Sequence, residues 1–268
     1  LFSFLSTSTK MDSGTPGRFI REKVGAIAMA GHSKWANIKR RKGKADLLKG
    51  KLFSRAAKEI ISSVKLGGAD PKSNPRLRLA IQKAREANMP NENIDRNIKK
   101  AASQDQADYH EITYELYGHG GVGIVVEVMS DNKNRIASDI RIATNKRGGS
   151  IAAPGSVTFN FDRKGVIYIP HTQAIEEELF ALVTEFGAED FEAVEDTFVI
   201  VTDPKDLLSV KEGLMHKGVS SQEADFEWIP KSYVTCDEEM AKENFALIEW
   251  LEGIEDVDAV FHNLKLPE

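Results

Sequence analysis

The apolar positions divide the chain into a helical stretch followed by an alternating one. Over residues 50–66, Leu52, Phe53, Ala56, Ala57, Ile60, Ile61 and Val64 gather on one broad face of a helical wheel. Lys51, Arg55, Lys58 and Lys65 fall together on the opposite face. Gly67 and Gly68 supply a left-handed stop. Asn74 is placed to cap a second helix, with Pro75 at its first position. Leu77, Ala80, Ile81 and Ala84 then give the i, i+3, i+4, i+7 stripe. Pro90 interrupts the chain, and Ile94, Ile98 and Ala101 mark a third, shorter helix. Three helices with short connections predict a small bundle.

Beyond residue 105 the period changes to two. Residues 109–117 and 124–130 read as strands, 135–146 as a helix closed by Gly148 and Gly149, and 157–161 as a further strand. Residues 118–123 (GHGGVG) match G-x-G-x-x-G, but a dinucleotide loop must open a helix. A strand follows here, so the match reads as a hairpin turn. The next elements are strand 165–169, helix 172–186, strand 190–194, strand 197–202, helix 205–217 and strand 220–228. That order, βαββαβ, is ferredoxin-like. Helix 237–251 and strand 257–263 are left to complete the earlier strands.

The predicted fold class is therefore α+β and multidomain. A three-helix bundle precedes two α/β domains, of which the ferredoxin-like one is inserted into the other. The expected domains are a basic helical unit at 29–104, a discontinuous α/β domain at 105–162 and 230–268, and an acidic insert at 163–229. Residues 1–28, rich in Ser and Thr and without periodicity, are expected to be a poorly ordered extension, with Met29 an alternative start.

Charge changes this picture from architecture toward function. The 268 residues carry a formal net charge of −5, which alone argues against a polyanion partner. The average conceals a division: residues 29–100 hold 19 Lys/Arg against 6 Asp/Glu, whereas residues 171–268 hold 6 against 25. Such asymmetry points to a nucleic-acid-binding half, since each neutralised phosphate releases condensed counterions. The plainer alternative is that the two halves neutralise one another inside the fold. The candidate contacts are Lys34, Lys39, Arg40, Arg41, Lys42 and Lys44 in a cationic arm, together with Lys51, Arg55, Lys58 and Lys65 on the first helix. His32 and Trp35 are candidates for base stacking, although for Trp35 anchoring the arm onto the bundle is the favoured reading. The acidic domains should lie away from bound phosphate or face a basic protein.

No nucleophile, base and oxyanion donors assemble in the sequence, and no P-loop, H-E-x-x-H or G-x-S-x-G pattern occurs. The six His are scattered without ligand spacing, so no metal, cofactor or small-molecule substrate is expected. The single Cys236 rules out a disulfide framework and reads as structural. Glu176, Glu177 and Glu178 suit a helix N-terminus. No apolar run approaches membrane-spanning length. The chain reads as non-enzymatic and cytoplasmic.

Residues 30–39 (AGHSKWANIK) closely resemble the N-terminal signature of the YebC/PmpR family, which includes the mitochondrial translational activator of cytochrome c oxidase subunit I. Residues 67–71 (GGADP), 74–78 (NPRLR), 88–90 (NMP), 114–122 (YELYGHGGV) and 155–157 (GSV) extend the resemblance over 29–268. His119 stands where the family often has Pro, and Ile151 and Ala152 where it often has Leu-Gly. The resemblance implies three domains and a nucleic-acid target. Bacterial members resemble DNA-binding transcriptional regulators; other members act on the ribosome in the synthesis of difficult, proline-rich sequences. A duplex-DNA regulator and a factor docking on ribosomal RNA are thus both expected readings, with DNA first.

Overall fold

The computed structural model describes residues 45–103, 109–194, 196–221 and 223–265. Helices α1 (Ala45–Gly67), α2 (Pro75–Glu86) and α3 (Asn91–Ala102) form the bundle. Ile60 and Leu77 are fully buried at its centre, with Ala80, Ala84 and Ile94 around them. Asn74 ties α1 to α2: its Oδ1 accepts from Leu77 N at 3.0 Å while its Nδ2 donates to Ser63 O at 2.8 Å and Gly68 O at 2.9 Å. One side chain thus caps the start of α2 and absorbs carbonyls left over at the end of α1. Gly68, at φ 86°, makes the left-handed exit.

Two antiparallel four-stranded sheets follow. The first has the order β3-β1-β2-β8, built from β1 (His110–Tyr117), β2 (Gly123–Ser130), β3 (Ser150–Ile151) and β8 (Val257–His262). Helices α4 (Lys133–Arg147) and α7 (Glu238–Gly253) pack on one of its faces over Ile124, Val126, Ile140 and Leu247. The second sheet has the order β5-β6-β4-β7, built from β4 (Phe161–Pro170), β5 (Asp190–Val194), β6 (Thr197–Thr202) and β7 (Glu223–Pro230). Helices α5 (Glu176–Glu185) and α6 (Leu207–His216) cover one face of it, with Ile167, Ile200, Leu179 and Leu214 between. The order βαββαβ makes this unit ferredoxin-like. It is inserted in the other α/β domain, because β8 returns after it to pair with β2. Strand β2, central and packed on both faces, is accordingly an almost unbroken apolar run.

The turn at His119–Gly121 joins β1 to β2, so the glycine-rich stretch opens no helix. Asn244 of α7 holds it: His119 N donates to Asn244 Oδ1 at 2.8 Å, and Asn244 Nδ2 donates to His119 O at 3.0 Å. A Cβ at Gly118 would stand 2.2 Å from that Oδ1, which explains the glycine. The strand expected at 157–161 is not formed. Thr158–Asn160 is a short 3-10 turn and Phe161 already begins β4. The cause lies in β1, where the buried Glu115 carboxylate accepts from Gly155 N at 2.6 Å, Val157 N at 2.6 Å and Thr158 N at 2.8 Å. These amides wrap a carboxylate and are unavailable to a ladder.

Burial by itself would raise the Glu115 pKa, but the amide donors overcome it and hold the carboxyl below its ordinary 4.5. A depressed carboxylate stabilises the fold above the unfolded pKa and loses that contribution as pH falls. Glu115→Gln, which turns one acceptor into a donor facing N–H groups, is expected to cost about 2–3 kcal/mol at pH 7. Urea melts should show the deficit shrinking toward pH 3.

Candidate nucleic-acid interface

Helix α1 presents its polar face to both α/β domains. Arg55 donates to Asp225 Oδ2 of β7 at 2.9 Å. Lys58 donates to Asp256 Oδ1 at 2.7 Å and to the carbonyl of Met129 at 3.1 Å. Lys83 of α2 joins from the side, 2.9 Å from Asp225 Oδ1 and 3.5 Å from Glu59 Oε1. Asp256 also accepts from Ser130 Oγ at 2.8 Å and from Arg135 at 2.6 Å. Lys211 of α6 reaches Glu86 at the end of α2, at 2.6 Å. Bundle, insert and outer α/β domain therefore meet at one ionic junction.

The electrostatics of this junction follow from burial working against charge. Burial pushes Asp225 up, but Arg55 and Lys83 prevail and hold its carboxyl far below the usual range. Burial likewise opposes ionisation of Asp256, and hydrogen bonds from Lys58, Arg135 and Ser130 pull it down. Asp258, on β8, is different. It is pushed up to about 6 by burial, with Glu59 and Glu127 adding to the rise and Arg55 and Lys58 opposing it. Glu127 itself accepts from Trp228 Nε1 at 2.9 Å and pairs with Arg163, linking β2 to the neighbouring strands β7 and β4 of the insert.

Two of the residues assigned to phosphate are therefore reassigned. Arg55 and Lys58 point into the interdomain junction, Lys58 being only 7% exposed, so neither stands in a solvent-facing stripe. A helical wheel separates polar from apolar faces, but it cannot tell water from another domain's carboxylates. Lys65 lies exposed near the end of α1. Lys51 is in α1, but its side chain lies outside the described residues, as do His32, Lys34, Trp35, Lys39, Arg40, Arg41, Lys42 and Lys44 altogether. The structure adds cations that the wheel overlooked: Lys72, Arg78, Arg85, Arg96, Lys99 and Lys100 are exposed, and none forms an ion pair among the described residues. The signal for them was present in the excess of Lys and Arg over acid across α2 and α3.

Among the described residues no group of three His, Cys, Asp or Glu could hold a metal ion, and no helix is long and apolar enough to cross a membrane. Burial and the neighbouring Asp237 push the Cys236 thiol up, away from the reactive thiolate. Its Sγ sits 3.7 Å from the carbonyl of His119, under the β1–β2 turn.

Removing one member of the junction strands the rest. Asp225→Asn is expected to cost about 2–3 kcal/mol in a denaturant melt, less than the ~3–5 typical of a fully buried pair, because both partners keep some solvent. Glu238→Gln, which breaks the exposed pair with Lys242, should change stability by less than ~0.5 kcal/mol. Asp258 yields a pH signature of opposite sign. The folded chain keeps its proton to about pH 6, against 3.8 for the ordinary group, so ionisation removes stability as pH rises between those values. Asp258→Asn should therefore gain on the parent as pH rises from 3.8 to about 6 and hold that margin above, read from melts at each pH.

Comparison with known proteins agrees with this architecture. Residues 33–104 match the model described as the TACO1/YebC protein N-terminal domain, and residues 109–264 match TACO1/YebC second and third domain. A probable transcriptional regulatory protein of Protochlamydia amoebophila is 72% identical over 240 residues, 90% of this chain and 98% of that one. Its counterpart in Chlamydia muridarum is 58% identical over 237 residues, 88% of this chain and 100% of that one. The crystal structure of a conserved hypothetical protein from Aquifex aeolicus superposes with a TM-score of 0.77 at 43% identity, covering 84% of this chain and 94% of that one. With the two models together matching most of the chain and relatives this similar over nearly their whole length, the chain belongs to the TACO1/YebC family.

Proposed function

We propose that this protein is a non-enzymatic regulator that binds nucleic acid through its basic N-terminal unit, acting in the cytoplasm as a DNA-binding regulator of transcription. The observation that carries the reading is the set of exposed cations on α2 and α3 that form no ion pair among the described residues, in the same basic unit of the sequence as the arm that holds Lys34, Lys39, Arg40, Arg41, Lys42 and Lys44. An ionic surface of this kind gains affinity from counterion release, whichever polyanion it meets. The names of the chlamydial relatives, probable transcriptional regulatory proteins, support the DNA reading.

One observation favours a second reading. The polar face of α1 around Arg55 and Lys58 is covered by the α/β domains, so that face of the longest helix is closed to a major groove. Contact through an arm and scattered surface cations suits backbone and shape recognition, as on ribosomal RNA, and hence a translation factor assisting proline-rich synthesis. Crosslinking in cells followed by sequencing of the attached nucleic acid separates the two: promoter DNA supports the first, ribosomal RNA the second.

Both readings share a salt dependence. If six to ten cations touch phosphate, binding should weaken about 10³–10⁵-fold between 50 and 200 mM salt. Replacing Lys39, Arg40, Arg41 and Lys42 together by Gln should flatten that slope in fluorescence anisotropy while the melting curve stays unchanged. An unaltered slope would exclude the arm as the contact.

A further inference from the structure

Helix α4 is unlike the other three helices that cover the two sheets. On α5, α6 and α7 acid predominates among the exposed charged residues, with Glu176, Glu177 and Glu178 opening α5 and Glu238 and Glu239 opening α7. Helix α4 exposes Lys133, Arg135, Arg141 and Lys146 and no carboxylate; its one acidic residue, Asp139, is half-buried. Arg135 is used within the fold, paired with Asp131 and with Asp256. Lys133, Arg141 and Lys146 form no ion pair among the described residues.

Ile136, Ile140 and Ala143 bury one side of α4 against its sheet. The opposite side carries Asn134, Ser138, Arg141 and Asn145, all exposed, in an i, i+4, i+7, i+11 stripe about 16 Å long. None of these four side chains makes a hydrogen bond or ion pair among the described residues. Lys133 and Lys146 stand on opposite flanks of the stripe, about 120° and 100° around the helix from Asn145. The stripe is rigidly mounted. Asn132 Oδ1 caps the helix by accepting from Asn134 N at 3.1 Å and Arg135 N at 3.0 Å, and Gly148 makes its left-handed exit. Asp256 holds Arg135 of α4 and Lys58 of α1 at once, which fixes α4 relative to the basic bundle.

Amide, hydroxyl and guanidinium groups are the side chains that read base edges: Asn matches adenine and Arg matches guanine. The major groove of B-form DNA, about 12 Å wide, admits a helix, whereas that of A-form RNA does not. A helix without exposed carboxylates, with cations on both flanks, also suits the two phosphate backbones that border such a groove. We propose that α4 enters the major groove of duplex DNA, with Asn134, Ser138, Arg141 and Asn145 toward base edges and Lys133 and Lys146 toward the two phosphate strands. The inference rests on the DNA reading above and adds to the basic unit a contact in the outer α/β domain. It supplies the groove-facing helix that the covered face of α1 cannot.

The test is fluorescence anisotropy of the full chain on a mixed-sequence duplex of about 25 bp, made as DNA and as RNA, between about 50 and 200 mM salt. Lys133→Gln with Lys146→Gln should make the log–log salt slope on DNA shallower by about two and weaken binding at the lowest salt about 100-fold. The melting curve should stay unchanged, since both side chains are exposed and unpaired. Lys205→Gln with Lys231→Gln removes the same charge from the insert and should leave the slope as it is; an equal fall there would show that net charge alone acts, and overturns the site. Methyl green, a major-groove ligand, should displace the parent chain from DNA; no displacement overturns the groove placement, as does an equal loss by the Lys133/Lys146 variant on the RNA duplex. If the parent binds DNA and that variant keeps its slope, this inference alone falls. If the parent binds only RNA, this inference and the DNA reading fall together while the ribosomal reading stands. If it binds neither duplex, both functional readings fall with it.

Discussion

The architecture depends on a set of charges held between three domains. Arg55, Lys58 and Lys83 enter from the bundle, Asp225 from the insert, and Asp256 from the outer α/β domain. The Ser130 hydroxyl, donating to Asp256, and the Met129 carbonyl, accepting from Lys58, complete the arrangement, so that most of its polar groups are matched despite partial burial. Ionic geometry of this kind is directional where apolar contact is not, and it fixes how the domains sit against each other. The apolar contact of Val125, Phe161 and Phe261 beside Trp228 supplies area between the two sheets, while the ion pairs supply registration.

The charge division along the sequence therefore has two uses. Part of it is structural: some cations of the basic half neutralise carboxylates of the acidic half inside the molecule. The remainder described, on α2 and α3, is exposed and forms no ion pair among the described residues. Sequence alone poses these as rival explanations. The structure places buried and exposed cations on neighbouring turns of the same helix, with Lys58 enclosed and Lys65, two turns later, at the surface.

Local signals were the legible ones. Strands β5 and β6 fall where alternation and β-branched residues put them, and the Asn74 cap and the Gly148 exit from α4 follow from residue type. The insertion was also readable, since helix α7 and strand β8 had nothing else to join. What escaped depends on partners distant in sequence. The segment after Gly155 resembles a strand until the Glu115 carboxylate, about forty positions earlier, claims its amides. The two-residue strand β3 carries no periodicity of its own. The fate of Arg55 is decided 170 positions away. The site was thus less legible than the fold, because a cation's role is set by what faces it.

The return of β8 to β2 has a bearing on biogenesis. Gly123 N meets Asn263 Oδ1 across 140 positions of sequence, with an entire ferredoxin-like unit threaded between them. On a growing polypeptide the bundle and the insert can each collapse as they emerge, but the β2 edge must wait, unpaired and almost wholly apolar, until β8 is made. A chain cut short before β8 would leave that edge open as a template for pairing with its neighbours.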